Sequence, residues 1–330
     1  MGEGRATCPA AMIPVRRCWR EARGTTPERT PELIDWAVRR LVINADDFGL
    51  SHAVNRAVIE LHGEGALTSV TLMASAAAAE EAIETAMKTP TLGVGCHVVL
   101  VDGEPALPAL EIPSLADQRT NQFHQTLSAF LRLAMTGRID PGEIEAEATA
   151  QISLLQSSGL RLTHVDTHKH THMFPIVLRP VLRAARAAGI SSVRNPFEPA
   201  WSRRATTGAP IMRRLQVTLL QRLEPRFRRI AAEEGFTTTD GALGVLATGT
   251  LDAAAINSLL ADMPDGTWEL VTHPGYHNSE LTQVRTRLKG SRERERQALM
   301  TIKWPENVEL INFAHLDAGK TEITMGSLMK

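Results

Sequence analysis

The sequence has no long apolar run, little cysteine and almost no excess of charge. No stretch approaches the roughly 18 uninterrupted apolar residues that a membrane-spanning helix needs. The formal net charge of −1 argues against a dedicated nucleic-acid-binding protein, which usually carries a basic excess. The three cysteines, Cys8, Cys18 and Cys96, show no pairing pattern and no metal-ligand spacing. A reducing cytoplasm is therefore the expected compartment.

The sequence also lacks internal repeats and low-complexity tracts. Its first strand-like stretch is followed by the polar segment 44–49 rather than by the glycine-rich turn of a dinucleotide-binding fold. Residues 1–38 contain six arginines and four prolines, but not the long apolar segment of a secretion signal. We expect a flexible extension over residues 1–38, and a single domain over residues 39–330.

The rest of the sequence alternates between strand-like and helix-like stretches. Strands are predicted at 41–43, 67–73, 92–100, 162–166, 190–194, 243–246, 268–272 and 308–311, and helices at 52–61, 123–135, 141–157, 175–188, from 211 onward, at 252–263 and at 280–300. Strands that alternate with helices at this spacing favour a mainly parallel sheet. The predicted fold class is α/β, an irregular (β/α) barrel with about seven mainly parallel strands.

Polar residues cluster where the predicted strands end. Asp46 and Asp47 close the first strand, His97 lies in the third, a histidine-rich segment covers 164–172, and His273 follows the strand 268–272. Active sites of parallel β/α folds lie at the carboxyl ends of the strands. These clusters are therefore expected to converge at that end of the barrel, around one active-site opening, its mouth. Adjacent buried carboxylates repel unless a cation or proton neutralises one of them. Asp46 and Asp47 therefore indicate either a helix start or a metal site.

The segment 164–172 is the strongest signal, because it holds four of the 11 histidines. Alternation in an extended segment predicts one shared side for the residues His164, Asp166, His168, His170 and His172. Neutral imidazole is the commonest metal ligand, and a nearby carboxylate such as Asp166 can orient it. One or two of these histidines are expected to bind metal.

The remaining candidates are open to two interpretations. His97 is either a satisfied core residue or a ligand, and His273 is either a turn residue or a residue of the mouth. Cys96 is not expected to be a nucleophile, because it faces away from His97 in an alternating strand and has no paired base.

Four motifs resemble the YdjC/ChbG-like carbohydrate deacetylases, in the same order along residues 40 to 280. They are Asn44-Ala45-Asp46-Asp47-Phe48-Gly49, Gly95-Cys96-His97, Thr163-His164-Val165-Asp166-Thr167-His168 and Thr272-His273-Pro274. The resemblance implies a barrel related to polysaccharide deacetylases. It also implies Asp46 as catalytic base, Asp47, His97 and His168 as ligands of one divalent metal ion, and His273 as general acid.

Two further segments, 100–105 and 194–198, are similar to the hopanoid-biosynthesis-associated branch of the HpnK type. This similarity implies an N-acetylglucosaminyl hopanoid lipid as the substrate. The alternatives are a chitooligosaccharide deacetylase, a metal-dependent phosphoesterase on a similar barrel, and a non-catalytic protein that binds metal or glycolipid. No nucleic-acid partner is expected.

The metal and the neighbouring residues follow from the same set of side chains. Two imidazoles and one carboxylate suit Zn²⁺ best, with Mg²⁺ or Mn²⁺ left open by ligand type alone. Asp166, His172 and Arg194 are predicted to bind substrate or to support the ligands. For Arg194 the roles considered are orienting Asp46, binding a sugar hydroxyl and forming a plain salt bridge.

The segment 211–230 mixes arginine with leucine and phenylalanine. The favoured interpretation is a helix that packs its apolar stripe on the barrel and exposes its arginines. The second hypothesis is that the protein is cytoplasmic and that this segment makes peripheral contact with the anionic inner face of the membrane.

Overall fold

The computed structural model describes residues 38–316. The predicted extension over residues 1–38 therefore lies outside the described residues, except for Val38, and Cys8 and Cys18 lie outside them as well. The described strands are β1 (Arg39–Phe48), β2 (Ser69–Leu72), β3 (Gly93–Val98), β4 (Ala116–Asp117), β5 (Gln122–Phe123), β6 (His164–Thr167), β7 (Gly241–Leu243), β8 (Gly266–Thr272) and β9 (Val308–Ile311).

The described helices alternate with these strands. They are α1 (His52–Gly63), α2 (Ala79–Met87), α3 (Leu127–Met135), α4 (Pro141–Ser157), α5 (Pro175–Ala187), α6 (Ala200–Ala205), α7 (Ile211–Leu220), α8 (Glu224–Glu233), α9 (Ala253–Asp262), α10 (Ser279–Gln283) and α11 (Lys289–Thr301). Ser51 caps α1, and its side chain accepts a hydrogen bond from the backbone of Val54. The predicted helix at 280–300 is two helices, α10 and α11, separated at residues 284–288.

The predicted fold class is confirmed. Seven strands form one sheet, with the order β6-β3-β2-β1-β8-β7 and with β9 paired to β1, and every pairing in it is parallel. Central strand β1 is long enough to pair with β9 along residues 39–42 and with β2 along residues 44–48. Residues 41–48 of β1 are buried without alternation, as expected for a parallel strand covered on both faces.

An extended segment at 191–197 joins the two edge strands, β6 and β7. On one side, Val165 of β6 donates to the Ser192 carbonyl at 3.0 Å. On the other side, Ala242 of β7 donates to the Phe197 carbonyl, also at 3.0 Å. The strand predicted at 190–194 is thus an extended bridge between β6 and β7, and it makes the curled sheet an irregular barrel.

The predicted alternation over 164–172 is wrong beyond Thr167. β6 ends at Thr167, and His168–Met173 forms a 3₁₀ turn in which Lys169 and His170 have φ of 56° and 52°. The Thr167 hydroxyl holds this turn, because it accepts hydrogen bonds from the His172 backbone and the Thr171 hydroxyl at 2.9 Å each. The histidines that follow β6 therefore point in different directions.

The favoured interpretation of 211–230 holds for α8 but is wrong for α7. In α8, Phe227 and Ile230 are buried and the arginines are exposed. None of the ten residues of α7 is buried in the described structure. The reason is that Arg213 and Arg214 point inward and bind backbone carbonyl groups. This orientation leaves four apolar residues of α7 exposed, namely Ile211, Met212, Leu215 and Leu219.

Candidate metal centre and active site

The site begins where β1 ends, at the adjacent acids Asp46 and Asp47. Neighbouring side chains of a regular strand point to opposite faces. Asp47 instead has φ of 64°, and the pairing of β1 with β2 shifts register between Ala45 and Phe48. This irregularity lets both carboxylates enter one buried region, where the two residues are 2% and 3% exposed. The left-handed backbone conformation costs a residue other than glycine about 1–3 kcal/mol of folding free energy. The surrounding contacts must therefore hold Asp47 in place.

Asp47, His97 and His168 bring three potential ligand atoms together. Asp47 Oδ1 lies 3.4 Å from His97 Nε2 and 3.2 Å from His168 Nδ1, and the two nitrogens are 3.3 Å apart. Asp47 Oδ1 is buried and has no hydrogen-bond partner among residues 38–316. A tetrahedral cation with bonds of about 2.0–2.1 Å holds its ligands about 3.3–3.4 Å apart. The donor set and its spacing therefore fit a divalent metal ion.

Asp166 fixes the orientation of His97. Its Oδ1 lies 2.7 Å from His97 Nδ1, which leaves His97 Nε2 directed at Asp47 and His168. A carboxylate in this position selects the tautomer and strengthens a metal-binding imidazole. Burial lowers the pKa of His97, but the Asp166 carboxylate and the hydrogen bonds of Asp166 and Asp47 outweigh it and raise the pKa to about 10.

Arg194 connects three buried carboxylates from three strands. Its Nη1 and Nη2 lie 2.9 Å and 2.6 Å from the two oxygens of Asp46, its Nε lies 2.7 Å from Glu269 Oε1, and it also pairs with Asp166. The guanidinium is fully buried, so it has no water to compensate for a lost partner. Of the roles considered for Arg194, these contacts are consistent with orienting Asp46 and with a plain buried salt bridge.

One positive charge cannot stabilise three buried negative charges equally. Burial raises the pKa of Asp46, but Arg194, His97 and His273 lower it more, so Asp46 is ionised. Burial raises the pKa of Glu269 to about 7, and the nearby Asp46 and Asp166 charges add to this effect although Arg194 opposes it. Glu269 is therefore the member of the group that holds a proton around neutral pH.

His273 lies on the more open side of the centre, with His168. Their side chains are 10% and 18% exposed, whereas those of Asp46, Asp47 and His97 are 1–4% exposed. His273 Nε2 is 3.8 Å from Asp46 Oδ2. Burial lowers the pKa of His273, but the nearby Glu295 carboxylate raises it more, with further help from the charge of Asp46. The ionised Asp46 carboxylate thus lies close to an imidazole whose protonated form is favoured.

Helix α11 supplies two charged side chains to this centre. Arg292 is fully buried and pairs with Asp47 Oδ2, which leaves Asp47 Oδ1 directed at the two histidines. Glu295 is 1% exposed, and its Oε2 accepts a hydrogen bond from the His273 backbone at 2.6 Å. The same oxygen lies 3.8 Å from His273 Nδ1. Arg292 and Glu295 therefore position a ligand and the candidate acid respectively.

We call the group formed by Asp47, His97 and His168 the metal triangle. The other histidines of 164–172 are not part of it. His164 stacks on Phe313, with ring centroids 3.7 Å apart. His170 is half-buried, and desolvation together with the Arg194 charge lowers its pKa to about 3. His172 has its Nδ1 2.7 Å from the Thr167 hydroxyl and its Nε2 3.3 Å from the Arg194 carbonyl, so it supports the backbone behind the centre.

The thiol of Cys96 also lies away from the chemistry. Cys96 is fully buried in β3. Burial first, and then the Asp166 charge, raises the pKa of this thiol far above its usual range. The sequence argument against a cysteine nucleophile agrees with this environment.

Glu269, Arg292 and Glu295 are site residues that the sequence analysis missed. A weak signal exists for the last two, because Ala298 and Leu299 are buried and the helical spacing extended backward reaches 295 and 292. Glu269 lies in an otherwise apolar strand, where a buried acid requires a partner. The identity of that partner, Arg194, depends on a contact across 75 residues of sequence.

Comparison with known proteins gives one family match and several similar sequences. The model of a family described as YdjC-like protein matches residues 40–309. A carbohydrate deacetylase of Brevibacillus brevis (strain 47) is 42% identical over 162 residues, which are 48% of this chain and 60% of the relative. A carbohydrate deacetylase of Thermoanaerobacter pseudethanolicus is 26% identical over 262 residues, which are 79% of this chain and 91% of the relative.

A third carbohydrate deacetylase, from Geobacillus stearothermophilus, is 39% identical over 143 residues, which are 42% of this chain and 54% of the relative. The chain thus spans little more than half the length of the two relatives with the higher identities. Among solved structures, a protein of Enterococcus faecalis V583 with a proposed role in cellobiose-phosphate cleavage superposes with a TM-score of 0.66. It is 26% identical, and the match covers 84% of this chain and 99% of that protein.

Proposed function

Because the chain belongs to the YdjC-like protein family, we propose that it is a metal-dependent hydrolase that removes the acetyl group of an N-acetylated sugar. The observation that carries this proposal is the Asp47–His97–His168 triangle, which lies beside an ionised Asp46 and the more exposed His273. The carbohydrate deacetylase activity of the similar proteins supports the same reaction class.

The metal would be held by Asp47 Oδ1, His97 Nε2 and His168 Nδ1, with Asp166 and Arg292 positioning two of these ligands. Two nitrogens and one oxygen favour Zn²⁺ over Mg²⁺ or Mn²⁺. When bound, a divalent cation at this place supplies Lewis-acid chemistry, which lowers the pKa of water and stabilises negative charge on a carbonyl oxygen.

The protein's own side chains account for the proton transfers. Asp46 is ionised and oriented by Arg194, so it can take a proton from the water that attacks the acetyl carbonyl carbon. The carbon–nitrogen bond then breaks, and protonated His273 gives its proton to the departing amine. The products are acetate and the free amino sugar. Glu295 favours the protonated form of His273 and so supports its role as acid.

We further propose an N-acetylglucosaminyl lipid of the hopanoid type as the substrate. The support is the similarity of the segments 100–105 and 194–198 to the HpnK branch. The first segment directly follows β3, which carries His97, and the second includes Arg194. Both segments therefore begin next to residues of the centre, where they can influence which acceptor enters.

The experiment for the reaction is acetate release from N-acetylglucosaminyl lipid and from chitooligosaccharides, each with and without chelator. Chelator-sensitive release from the lipid alone is expected. Release from the oligosaccharides alone would keep the chemistry but contradict the lipid assignment. No release from either substrate by metal-loaded protein would favour a phosphoesterase or a non-catalytic binding protein.

A second measurement tests the metal independently of turnover. Adding Zn²⁺ to metal-free protein should raise the free energy of unfolding by about 2.7 kcal/mol at a concentration 100 times Kd. The variant His168→Ala should lose this increase, and His277→Ala, at an exposed histidine outside the triangle, should keep it. A stoichiometry of two ions per chain would instead favour the phosphoesterase.

A further inference from the structure

Helix α7 exposes an apolar face that the described structure leaves uncovered. Its four most exposed apolar side chains are Ile211 at 78%, Met212 at 66%, Leu215 at 59% and Leu219 at 61%. They are four of the ten exposed large hydrophobic residues found among residues 38–316. Spacings of four residues place Ile211, Leu215 and Leu219 on one side of the helix. A continuous patch of this kind marks an interaction surface.

The arginines of α7 face the protein rather than solvent. Arg213 donates to the Val245 carbonyl at 2.7 Å, and Arg214 donates to the carbonyl groups of Arg203 and Thr206. These bonds fix the rotation of the helix about its axis. The exposed apolar face is therefore imposed by specific contacts, because turning it inward would break the hydrogen bonds of both arginines.

Basic residues continue the same exposed side beyond α7. Arg222 and Arg226 follow Leu215 and Leu219 at intervals of three and four residues, through the 3₁₀ turn Gln221–Leu223 into α8. Both arginines are exposed, and neither forms an ion pair with another described residue. Residues 200–230 contain eight arginines and one glutamate, in a chain whose net charge is −1. The surface thus combines exposed apolar side chains with a strong local positive charge.

From this combination we infer that residues 211–226 form a docking surface for an anionic lipid bilayer. The apolar side chains enter the boundary between headgroups and acyl chains, and Arg222 and Arg226 contact the anionic headgroups. No helix of residues 38–316 is long and apolar enough to span a bilayer, so the contact is peripheral.

The docking surface lies on the side of the barrel where the metal centre opens. The carbonyl group that binds Arg213 belongs to Val245, which follows the carboxyl end of β7. All strands of the main sheet are parallel, so this end shares its edge with the ends of β1 and β8, which carry Asp46, Asp47 and His273. Docking therefore brings the open edge of the barrel towards the lipid.

The test is sedimentation of the full chain with vesicles of phosphatidylcholine alone and of phosphatidylcholine mixed with phosphatidylglycerol. Wild-type protein should bind only the mixed vesicles, and salt should weaken the binding. The double variant Arg222→Glu/Arg226→Glu should lower the vesicle partition coefficient by more than about tenfold. The variant Leu215→Ser/Leu219→Ser should lower it similarly, because it removes apolar area from the lipid contact.

Two matched controls use exposed residues elsewhere in the fold. Arg132→Glu/Arg138→Glu reverses the same amount of charge, and Met135→Ser removes a side chain that is 81% exposed on α3. Both controls should bind vesicles as the wild type does. Failure of wild-type protein to bind the mixed vesicles would overturn the inference, and so would an equal loss of binding in the controls.

A second copy of the chain is the alternative occupant of this face. A wild-type dimer that Leu215→Ser/Leu219→Ser converts to a monomer, without wild-type vesicle binding, would assign the face to self-association and overturn the lipid inference. Vesicle binding needs no turnover, so failure of the inference and failure of the proposed deacetylase activity are measured separately.

Discussion

Asp46 and Asp47 are adjacent in sequence, yet each has its own arginine. Asp46 pairs with Arg194 from the extended segment after β6, and Asp47 pairs with Arg292 from α11. The two arginines offset the repulsion that makes a buried pair of carboxylates costly. They also separate the two roles, because Asp47 keeps one oxygen for the metal triangle and Asp46 lies outside it.

The first prediction concerns Asp46. Asp46→Asn should lower kcat by about 10²–10⁴-fold, because an amide cannot accept the proton of the attacking water. Metal content should not change, since Asp46 is not one of the three proposed ligands. The measurements are acetate release and metal analysis of the purified protein. Asp262→Asn, at an exposed residue that ends α9, should leave both quantities at wild-type values. Full activity in Asp46→Asn would remove Asp46 from the role of base.

The second prediction concerns Glu295. Its carboxylate, 3.8 Å from His273 Nδ1, raises the pKa of His273, so Glu295→Gln should lower that pKa. A general acid works in its protonated form, and activity is lost as the pH rises through its pKa. The alkaline limb of the pH–kcat profile should therefore move to lower pH in Glu295→Gln. A profile that only decreases in height, at every pH equally, would assign Glu295 a purely structural role.

At the scale of secondary-structure elements, the close approach of β3 to β6 depends on a glycine. A Cβ atom built on Gly95 would lie 2.5–2.6 Å from three atoms of the His164 ring. That ring cannot easily retreat, because its other face stacks on Phe313. Gly95 thus allows β3 to pack beside a histidine while His97, two residues later, points into the metal triangle.

The third prediction follows from this close approach of β3 to β6. Gly95→Ala should lower the free energy of unfolding by about 1–3 kcal/mol, the usual cost of overpacking a core. Chemical denaturation of metal-free protein measures the effect. Gly290→Ala is the matched control, because no atom lies within 4 Å of its Cβ position in α11. Equal stability of Gly95→Ala and wild type would show that the His164 ring can move aside.

Helix α11 shows why some site residues escape prediction at this scale. Its sequence is rich in charged residues, and such a pattern normally indicates a solvent-exposed helix. Its inner face nevertheless begins with Arg292 and Glu295 before the apolar Ala298 and Leu299. These two charges are buried because their partners, Asp47 and His273, lie on the barrel beneath the helix.

At the scale of the whole molecule, Arg194 links strands that are far apart in the sequence. Through Asp46, Asp166 and Glu269 it connects β1, β6 and β8, and its own backbone lies in the bridge that joins β6 to β7. The proton that Glu269 holds near neutral pH links the stability of the barrel to pH.

The fourth prediction follows from this linkage. The pKa of Glu269 is raised to about 7 by burial, above its ordinary value of 4.5, so the folded protein holds a proton that the unfolded chain releases. The Glu269 contribution to stability should fall as the pH rises from about 4.5 to about 7 and should then stay constant. Urea unfolding at several pH values measures this dependence.

Glu269→Gln should flatten the change across that pH range, since an amide does not titrate. Glu309→Gln is the control, because Glu309 is half exposed on β9, where it pairs with Arg40. A pH dependence in Glu269→Gln identical to that of the wild type would place the shared proton elsewhere in the group.

The sequence by itself determined the α/β class, the parallel arrangement of the strands and the meeting of the polar clusters at one edge of the sheet. These features follow from local patterns, because apolar runs define strands and polar residues at strand ends must meet at one edge of a parallel sheet. The strand Val308–Ile311 is an equally local feature, and the structure has it as predicted. The resemblance to a family added the proposed ligand set of Asp47, His97 and His168 and the proposed roles of Asp46 and His273, which spacing alone leaves open.

Only the tertiary structure decided the charge network and the orientation of α7. Arg194, Glu269, Arg292 and Glu295 find their partners across long stretches of chain, and no periodic pattern encodes which buried charges will pair. The same holds for α7, whose pattern predicts an apolar face packed on the barrel. The carbonyl groups that bind Arg213 and Arg214 reverse that orientation, because inward hydrogen bonds of two arginines fix the helix with its apolar side in solvent.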